Sequence, residues 1–261
     1  MVLVWIIQYS SSMASISTIP PEALRWLAGD QQVSILLVGA SGVYASHLAD
    51  AGHSVTVVDR DPRELRSIAD QRPEIHIVAA HAESLPFDPC NFSTVLAIQN
   101  FHTFAPGLAL SEWARVLRSQ GWIGLAYLSR DDSVPWVKRL KRIVQSYLPG
   151  AMTGDHGASS VSALFESAFF PYIEEATFRM WMPSTRAQLQ DSARQAVGVE
   201  DLEQSRLDAM VEEIGLLYDE YARVPDPLLL PYQIECWRAE VDQSTMMTSL
   251  IPGDDGLSIS L

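Results

Sequence analysis

Two short stretches set the chemistry within reach of this chain. Gly39-Ala40-Ser41-Gly42 follows the unbroken apolar run Ile35-Leu36-Leu37-Val38, and Asp59 closes a second apolar run over residues 55–58. Glycine in such a turn lets backbone approach a ligand, and the N-terminus of a following helix offers unpaired N–H groups to a carboxylate or phosphate. A carboxylate at the end of the second strand is placed to accept hydrogen bonds from a ribose diol, as in dinucleotide sites. A glycine turn alone signals only a strand-to-helix bend that needs small residues for packing. The acid placed after it adds a ribose-bearing ligand.

The elements that must position these groups read as a β-α-β unit. Residues 35–38 and 55–58 are short buried strands, with a helix over residues 43–51 between them. Strands that are apolar without alternation are buried on both faces, which implies a parallel sheet with helices on either side. Pro20-Pro21 opens a short helix upstream, and Asp61-Pro62 opens another that runs to about residue 70. A third strand is expected at 75–78, a loop at 81–87 and a fourth strand at 93–98. An amphipathic helix over 108–119 puts Leu110, Trp113, Ala114 and Leu117 on one face; Gln120-Gly121 ends it before a fifth strand at 122–128. From residue 134 to 189 the pattern is less regular, with a basic amphipathic helix, a Gly- and Ser-rich loop and a sixth strand at 172–181. Helices at 185–197 and 201–221 and an edge strand at 230–241 complete a single domain over residues 19–241. Residues 1–18 read as a flexible leader, in which Met13 is an alternative start, and residues 242–261 as a flexible tail.

Composition narrows the partners. The chain has 261 residues, enough for one large α/β domain with a substantial core. Its formal net charge of −14 opposes binding to a nucleic-acid backbone or an anionic membrane, and a small organic or neutral substrate fits better. Cys90 and Cys236 match no metal spacing and read as reduced thiols, so a cytoplasmic setting is expected. The apolar run at residues 1–7 lacks a basic flank and is too short to span a bilayer. Lys138, Arg139, Lys141 and Arg142 read as a solvated helix face.

The segments AESLPFDPCNFSTVLAIQNFHTF and LSEWARVLRSQGWIGLAYLSRDDSVPWVKRL carry a longer signal. They resemble the class I S-adenosylmethionine-dependent methyltransferases, in the small-molecule branch of the methyltransferase type 11 kind. The likeness runs from about Pro20 to Val241 and includes the closing LPYQIECWRAEV. It implies an α/β, Rossmann-like fold: a seven-stranded, mostly parallel sheet with an antiparallel last strand and a helical lid drawn from about 134–170 and 185–221. It implies S-adenosyl-L-methionine as cofactor, with Gly39, Ala40, Ser41 and Gly42 at its methionine end. Asp59 would hold the ribose, with Arg60 beside it; Ala82 and Glu83 would border the adenine. Gln99, Asn100, Phe101 and His102 would floor the methyl-transfer site.

Methyl transfer from a sulfonium is an in-line displacement, so holding nucleophile and methyl aligned and dry is the main task, worth up to roughly 7–11 kcal/mol. His102 is the candidate catalytic base; the bland alternative is a histidine that hydrogen-bonds a neighbouring loop and shapes the pocket. Phe101, Phe104, Trp136, Phe165 and Phe169 suggest a hydrophobic or planar substrate, and His156 would reach the cavity if its loop folds over it. Trp136 also has the spacing of a helix's own packing face.

Three positions depart from the resemblance. Leu37 stands where the family carries an acid, the glycine turn is one residue short and lacks its middle glycine, and His81 replaces an aspartate beside the adenine. These departures favour an alternative: a methyltransferase-fold protein that has lost transfer, either a cofactor-independent enzyme of cyclisation or elimination or a non-catalytic partner subunit. The sequence leaves a homodimer or a partner subunit open, although the net charge of −14 disfavours loose self-association at low salt. A nicotinamide-dependent reductase is disfavoured, since no tyrosine is followed four residues later by lysine.

Overall fold

The computed structural model describes residues 19–151, 158–196, 198–223 and 227–244. The expected leader, the end of the tail and His156 lie outside the described residues. In chain order the elements are α1 (Pro21–Ala28), β1 (Ser34–Val38), α2 (Gly42–Asp50), β2 (Ser54–Asp59), α3 (Pro62–Gln71) and β3 (His76–Ala79). Then follow β4 (Phe92–Ile98), α4 (Pro106–Val116), β5 (Leu117–Arg130), α5 (Pro135–Tyr147) and the one-turn α6 (Ser162–Phe165). β6 (Tyr172–Ser184), α7 (Arg186–Arg194), α8 (Gln204–Tyr221) and β7 (Leu228–Glu240) complete the described fold.

The seven strands follow the order β3-β2-β1-β4-β5-β7-β6. β1 pairs in parallel with β2 and β4, β2 with β3, and β4 with β5. β7 reverses direction, and β6 reverses again to run the same way as β5. The N–H of Val241 donates to Gly121 and that of Asp131 to Pro231, so β7 runs against β5; Asp242 donates to Phe169 and Arg238 pairs with Glu174, so β6 runs against β7. Leu36, Leu37, Val95 and Leu96 are each at most 1% exposed, as strands covered on both faces require.

The described residues divide into two compact units. Of the described residues, one contains 22–127, 158–177 and 235–244; the other contains 19–21, 128–151, 178–196, 198–223 and 227–234. Trp113, Phe101, Leu110, Ile123, Phe170 and Trp237 are among the core of the first. The core of the second gathers Trp136, Val137, Leu140 and Val144 of α5 with Leu189 of α7 and Met210, Ile214 and Leu217 of α8. Of the segments expected to form a lid, α5, α7 and α8 fall in the second unit and α6 in the first.

Local chemistry explains most boundaries. Asp61 caps α3 by accepting from the N–H of Arg63, with proline next in line. Thr185 and Gln188 form a reciprocal capping box on α7. The junction of α4 and β5 departs from the expectation of a helix to residue 119. Leu117 already pairs with Phe92, and the carbonyls of Arg115 and Val116 accept from Cys90 and Asn91. The strand therefore begins at Leu117 and absorbs Gln120, at φ 64°, as an irregularity between the pairs of Phe92 and Thr94.

Candidate functional site

At the carboxyl ends of β1, β2 and β4, three connections converge within the first unit. Gly39 has a φ of +97°, a conformation side-chain-bearing residues avoid, and a Cβ there would lie 2.0 Å from Asn100 Nδ2. Glycine is thus required twice over, by backbone and by neighbour. Asp59 ties this turn to the end of β2: one carboxylate oxygen accepts the N–H of Ala40 at 2.9 Å, the other that of Asp61 at 2.7 Å. An ionised carboxylate has about four acceptor directions, so two hydrogen bonds leave it able to receive a diol. Arg60 is exposed beside it.

Gln99, immediately after β4, has a φ of 60°, and its N–H donates to Ala126 at 2.8 Å. This bend sets the direction of the next residues. Asn100 donates through Nδ2 to the Val38 carbonyl at 2.6 Å, which fixes the orientation of its amide. The other end of that amide, Oδ1, is buried without a hydrogen-bond partner. A buried acceptor left unpaired costs about 1–3 kcal/mol, so an arriving donor is rewarded there.

The loop after β3 is fastened to α4. His81 and Ser84 form an isolated bridge that closes its first turn. Ala82 is buried and its carbonyl accepts from Trp113 Nε1 at 3.1 Å; Glu83 accepts the N–H of Ala105, the residue that caps α4, at 2.8 Å. Glu112 accepts the N–H of Leu85 at 2.7 Å, while Arg115 donates to the carbonyls of Leu85 and Phe87. Arg115 also holds Glu112 through two charged hydrogen bonds of 2.7 and 2.8 Å. That contact keeps the Glu112 carboxyl below its ordinary range. Glu83 therefore has a definite structural partner beside the adenine role expected of it.

Phe101–Thr103 form a single 3-10 turn after β4. Phe101 is fully buried against Trp113, with ring centroids 5.6 Å apart, so its side chain serves the core rather than a substrate cavity. His102 is exposed on the same turn. Its N–H donates to the Tyr127 hydroxyl at 3.0 Å, and its Nδ1 lies 3.2 Å from the same oxygen. Tyr127, 3% exposed near the end of β5, is also 3.2 Å from Ser160 Oγ. Phe104 is half-buried and packs edge-on against Trp113.

The geometry thus brings together Gly39, Ala40, Asp59, Asn100 and, two residues on, His102. Trp136 is a correction: it is buried in the second unit with the rest of the apolar face of α5, as its helical spacing allowed. Sequence reading missed Tyr127, Glu112 and Arg115. The three-residue spacing of Glu112 and Arg115 on one helix was a usable signal for their ion pair; nothing local announced Tyr127. A small groove of about 90 Å³ beside the turn is lined by Ala40, Gly42, Ser46, Ile68 and Arg72, among others, too small for an adenosyl group.

Residues 36–125 match the family described as methyltransferase domain. Over 126 residues the chain is 34% identical to an uncharacterised methyltransferase of Mycobacterium tuberculosis, an alignment covering 48% of this chain and 52% of that protein. Over 156 residues it is 27% identical to the demethylmenaquinone methyltransferase of Chlorobaculum tepidum, covering 58% and 60%. The chain spans about half the length of the mycobacterial relative it matches. Among solved structures, a protein of Anaeromyxobacter dehalogenans assigned as a type II methyltransferase is similar with a TM-score of 0.60 at 19% identity, covering 84% of this chain and 95% of that one. A Bacillus halodurans protein assigned as a methyltransferase gives 0.51 at 17%, covering 84% and 96%. At these identities the structural likeness carries the fold alone: the Rossmann-like fold of class I methyltransferases.

Proposed function

We propose, on the premise that residues 36–125 carry a class I methyltransferase domain, that this protein transfers a methyl group from S-adenosylmethionine to a hydrophobic small molecule. The observation that carries the reading is Asp59, whose carboxylate closes β2, grips the N–H of Ala40 in the glycine turn and still has acceptor directions to spare. The residues present fit such a donor. Asp59 would accept from its ribose hydroxyls, the turn at Gly39 would pass close to its methionine end, and Asn100 Oδ1 is an enclosed acceptor wanting a donor.

When bound, the sulfonium supplies an electrophilic methyl carbon and a neutral leaving group. The chain's own work is positional: Asp59 orients, the fastened loop 82–87 borders the base, and His102 faces the methyl acceptor from the end of β4. Burial of Phe101 and Trp113 beneath that turn gives it a rigid floor. A cytoplasmic setting belongs to the same proposal, supported by two unpaired thiols.

A second reading, a fold that has lost transfer, is favoured by Leu37, which is 1% exposed in the sheet where an acid is usual, and by the Asn100 amide lying over Gly39. Calorimetric titration with S-adenosylmethionine and S-adenosylhomocysteine separates the two. The proposal expects saturable heat from both, lost in Asp59→Ala; no heat at millimolar ligand in the native protein would overturn it.

A further inference from the structure

We propose that β6 is a self-pairing edge: two copies of this chain join antiparallel along it, about a two-fold axis at Thr177, and so unite their sheets. No cofactor or substrate takes part.

β6 closes the strand order, so no further described strand lies on its outer side. It is 13 residues long, and an exposed edge of that length is a template for another strand. Its side chains alternate between faces, as in any strand. Glu175, Thr177, Arg179 and Trp181 are exposed on one face, whereas residues 176, 178, 180 and 182 on the other are partly covered. Glu175 makes no ion pair among the described residues. Arg179 reaches Asp131 through Nε at 3.4 Å, yet its side chain stays 64% exposed, so its two terminal nitrogens can still meet a second carboxylate. Glu174, on the opposite face, is held by Arg238.

Symmetry limits how such an edge can meet itself. A two-fold axis perpendicular to the sheet keeps each face on its own side, so exposed residues oppose only exposed-face residues of the second copy. An axis at Thr177 sets Glu175 opposite Arg179 and Arg179 opposite Glu175, sets Ile173 opposite Trp181 and the reverse, and lets Thr177 meet its own copy. Opposite charges, and β-branched against aromatic side chains, are favoured cross-strand pairs. The neighbouring registers are worse. An axis at residue 176 opposes Ile173 to Arg179, one at 178 opposes Glu175 to Trp181, and one at 175 or 179 sets like charge on like. Charges on an edge strand ordinarily guard it against pairing. These two are placed symmetrically about Thr177, so they leave an unrelated strand with unpaired charge but cancel on a second copy, which makes the guard a selector. The net charge of −14 on each copy repels at long range; physiological salt screens it beyond about 8 Å and leaves directly opposed pairs in force.

Sedimentation velocity of the full chain, in a Cys90→Ser background that removes the exposed thiol, is the test. The expected result is a dimer at micromolar concentration and physiological salt. Oxidation should link Thr177→Cys copies, because directly opposed residues lie about 4.5–5.5 Å apart at Cβ, and should leave Ala176→Cys unlinked, because its copies stand diagonally at roughly 7–8 Å. Glu175→Arg and Arg179→Glu should each weaken the dimer on the order of tenfold, as two attractive pairs become repulsive, and the two changes together should restore it. Arg179→Glu and the double variant both lose the Asp131 contact, so restoration reports pairing between copies rather than the fold of one. A monomer under these conditions, a dimer indifferent to the single reversals, a double variant no tighter than the singles, or a dimer that does not cross-link at residue 177 overturns the inference.

Discussion

Replacing Gly39 by alanine asks whether the glycine turn and the asparagine after β4 form one device. A Cβ at φ +97° strains the backbone by about 1–2 kcal/mol in left-handed space. The new methyl would also stand 2.0 Å from Asn100 Nδ2, so the amide must leave, breaking its 2.6 Å bond to the Val38 carbonyl. Losing that bond costs about 0.5–1.5 kcal/mol net. Together the two effects predict a loss of about 1.5–3.5 kcal/mol. In an Asn100→Ala background the obstruction is gone, and only the backbone share of about 1–2 kcal/mol should remain. Urea unfolding of the four proteins of the cycle, followed by two spectroscopic probes to check for coincident transitions, measures the difference. Additivity to within about 0.5 kcal/mol would refute the reasoning, because it would mean that the amide does not lie over Gly39.

Three further outcomes follow from other parts of the structure. Thr94 is wholly buried in β4 with its Oγ1 unpartnered, so Thr94→Val should raise stability by about 1 kcal/mol, read as a higher urea midpoint; a fall would mean the hydroxyl is satisfied after all. The Glu112 carboxyl is held below the ordinary glutamate value of 4.5 by the Arg115 hydrogen bond, so the unfolded chain binds more protons between the two values and stability rises with pH there. The stabilisation that Glu112 provides is present above 4.5 and lost as pH falls through the depressed folded value; the native protein should shed its advantage over Glu112→Gln in that acid window, with amide exchange rising in loop 82–87. Cys90 is exposed, while burial leaves Cys236 1% exposed and pushes its thiol up to about 12. A thiol-reactive disulfide should accordingly label one cysteine quickly in the native protein and none in Cys90→Ser.

The β-α-β start was legible because its signals are local. Apolar runs without alternation mark β1 and β2, and small residues mark the turn between β1 and α2, all within one stretch of chain. Asp61-Pro62 likewise announced α3. Boundaries failed where distant pairing decided them. Helix α4 looked longer than it is because Leu117 keeps its apolar phase, yet that residue pairs with Phe92 and belongs to β5. Trp136 carried two meanings in sequence, substrate contact or helix packing, and only its burial in the second unit's core chose between them.

Within the site the same division holds. The sequence by itself determined the chemistry on offer: a carboxylate after the second strand, a glycine turn after the first, a histidine after the fourth, and an excess of negative charge. Tertiary structure alone decided the partners of those groups. Asn100 reaches a carbonyl 62 positions earlier in the chain, Tyr127 meets His102 across 25 and Ser160 across 33, and Arg115 fastens a loop 28 to 30 residues upstream. The reason is physical: a side chain's type is fixed by its own codon, but which lone pair it fills depends on how strands far apart in sequence are brought into register, and no local pattern encodes that distance.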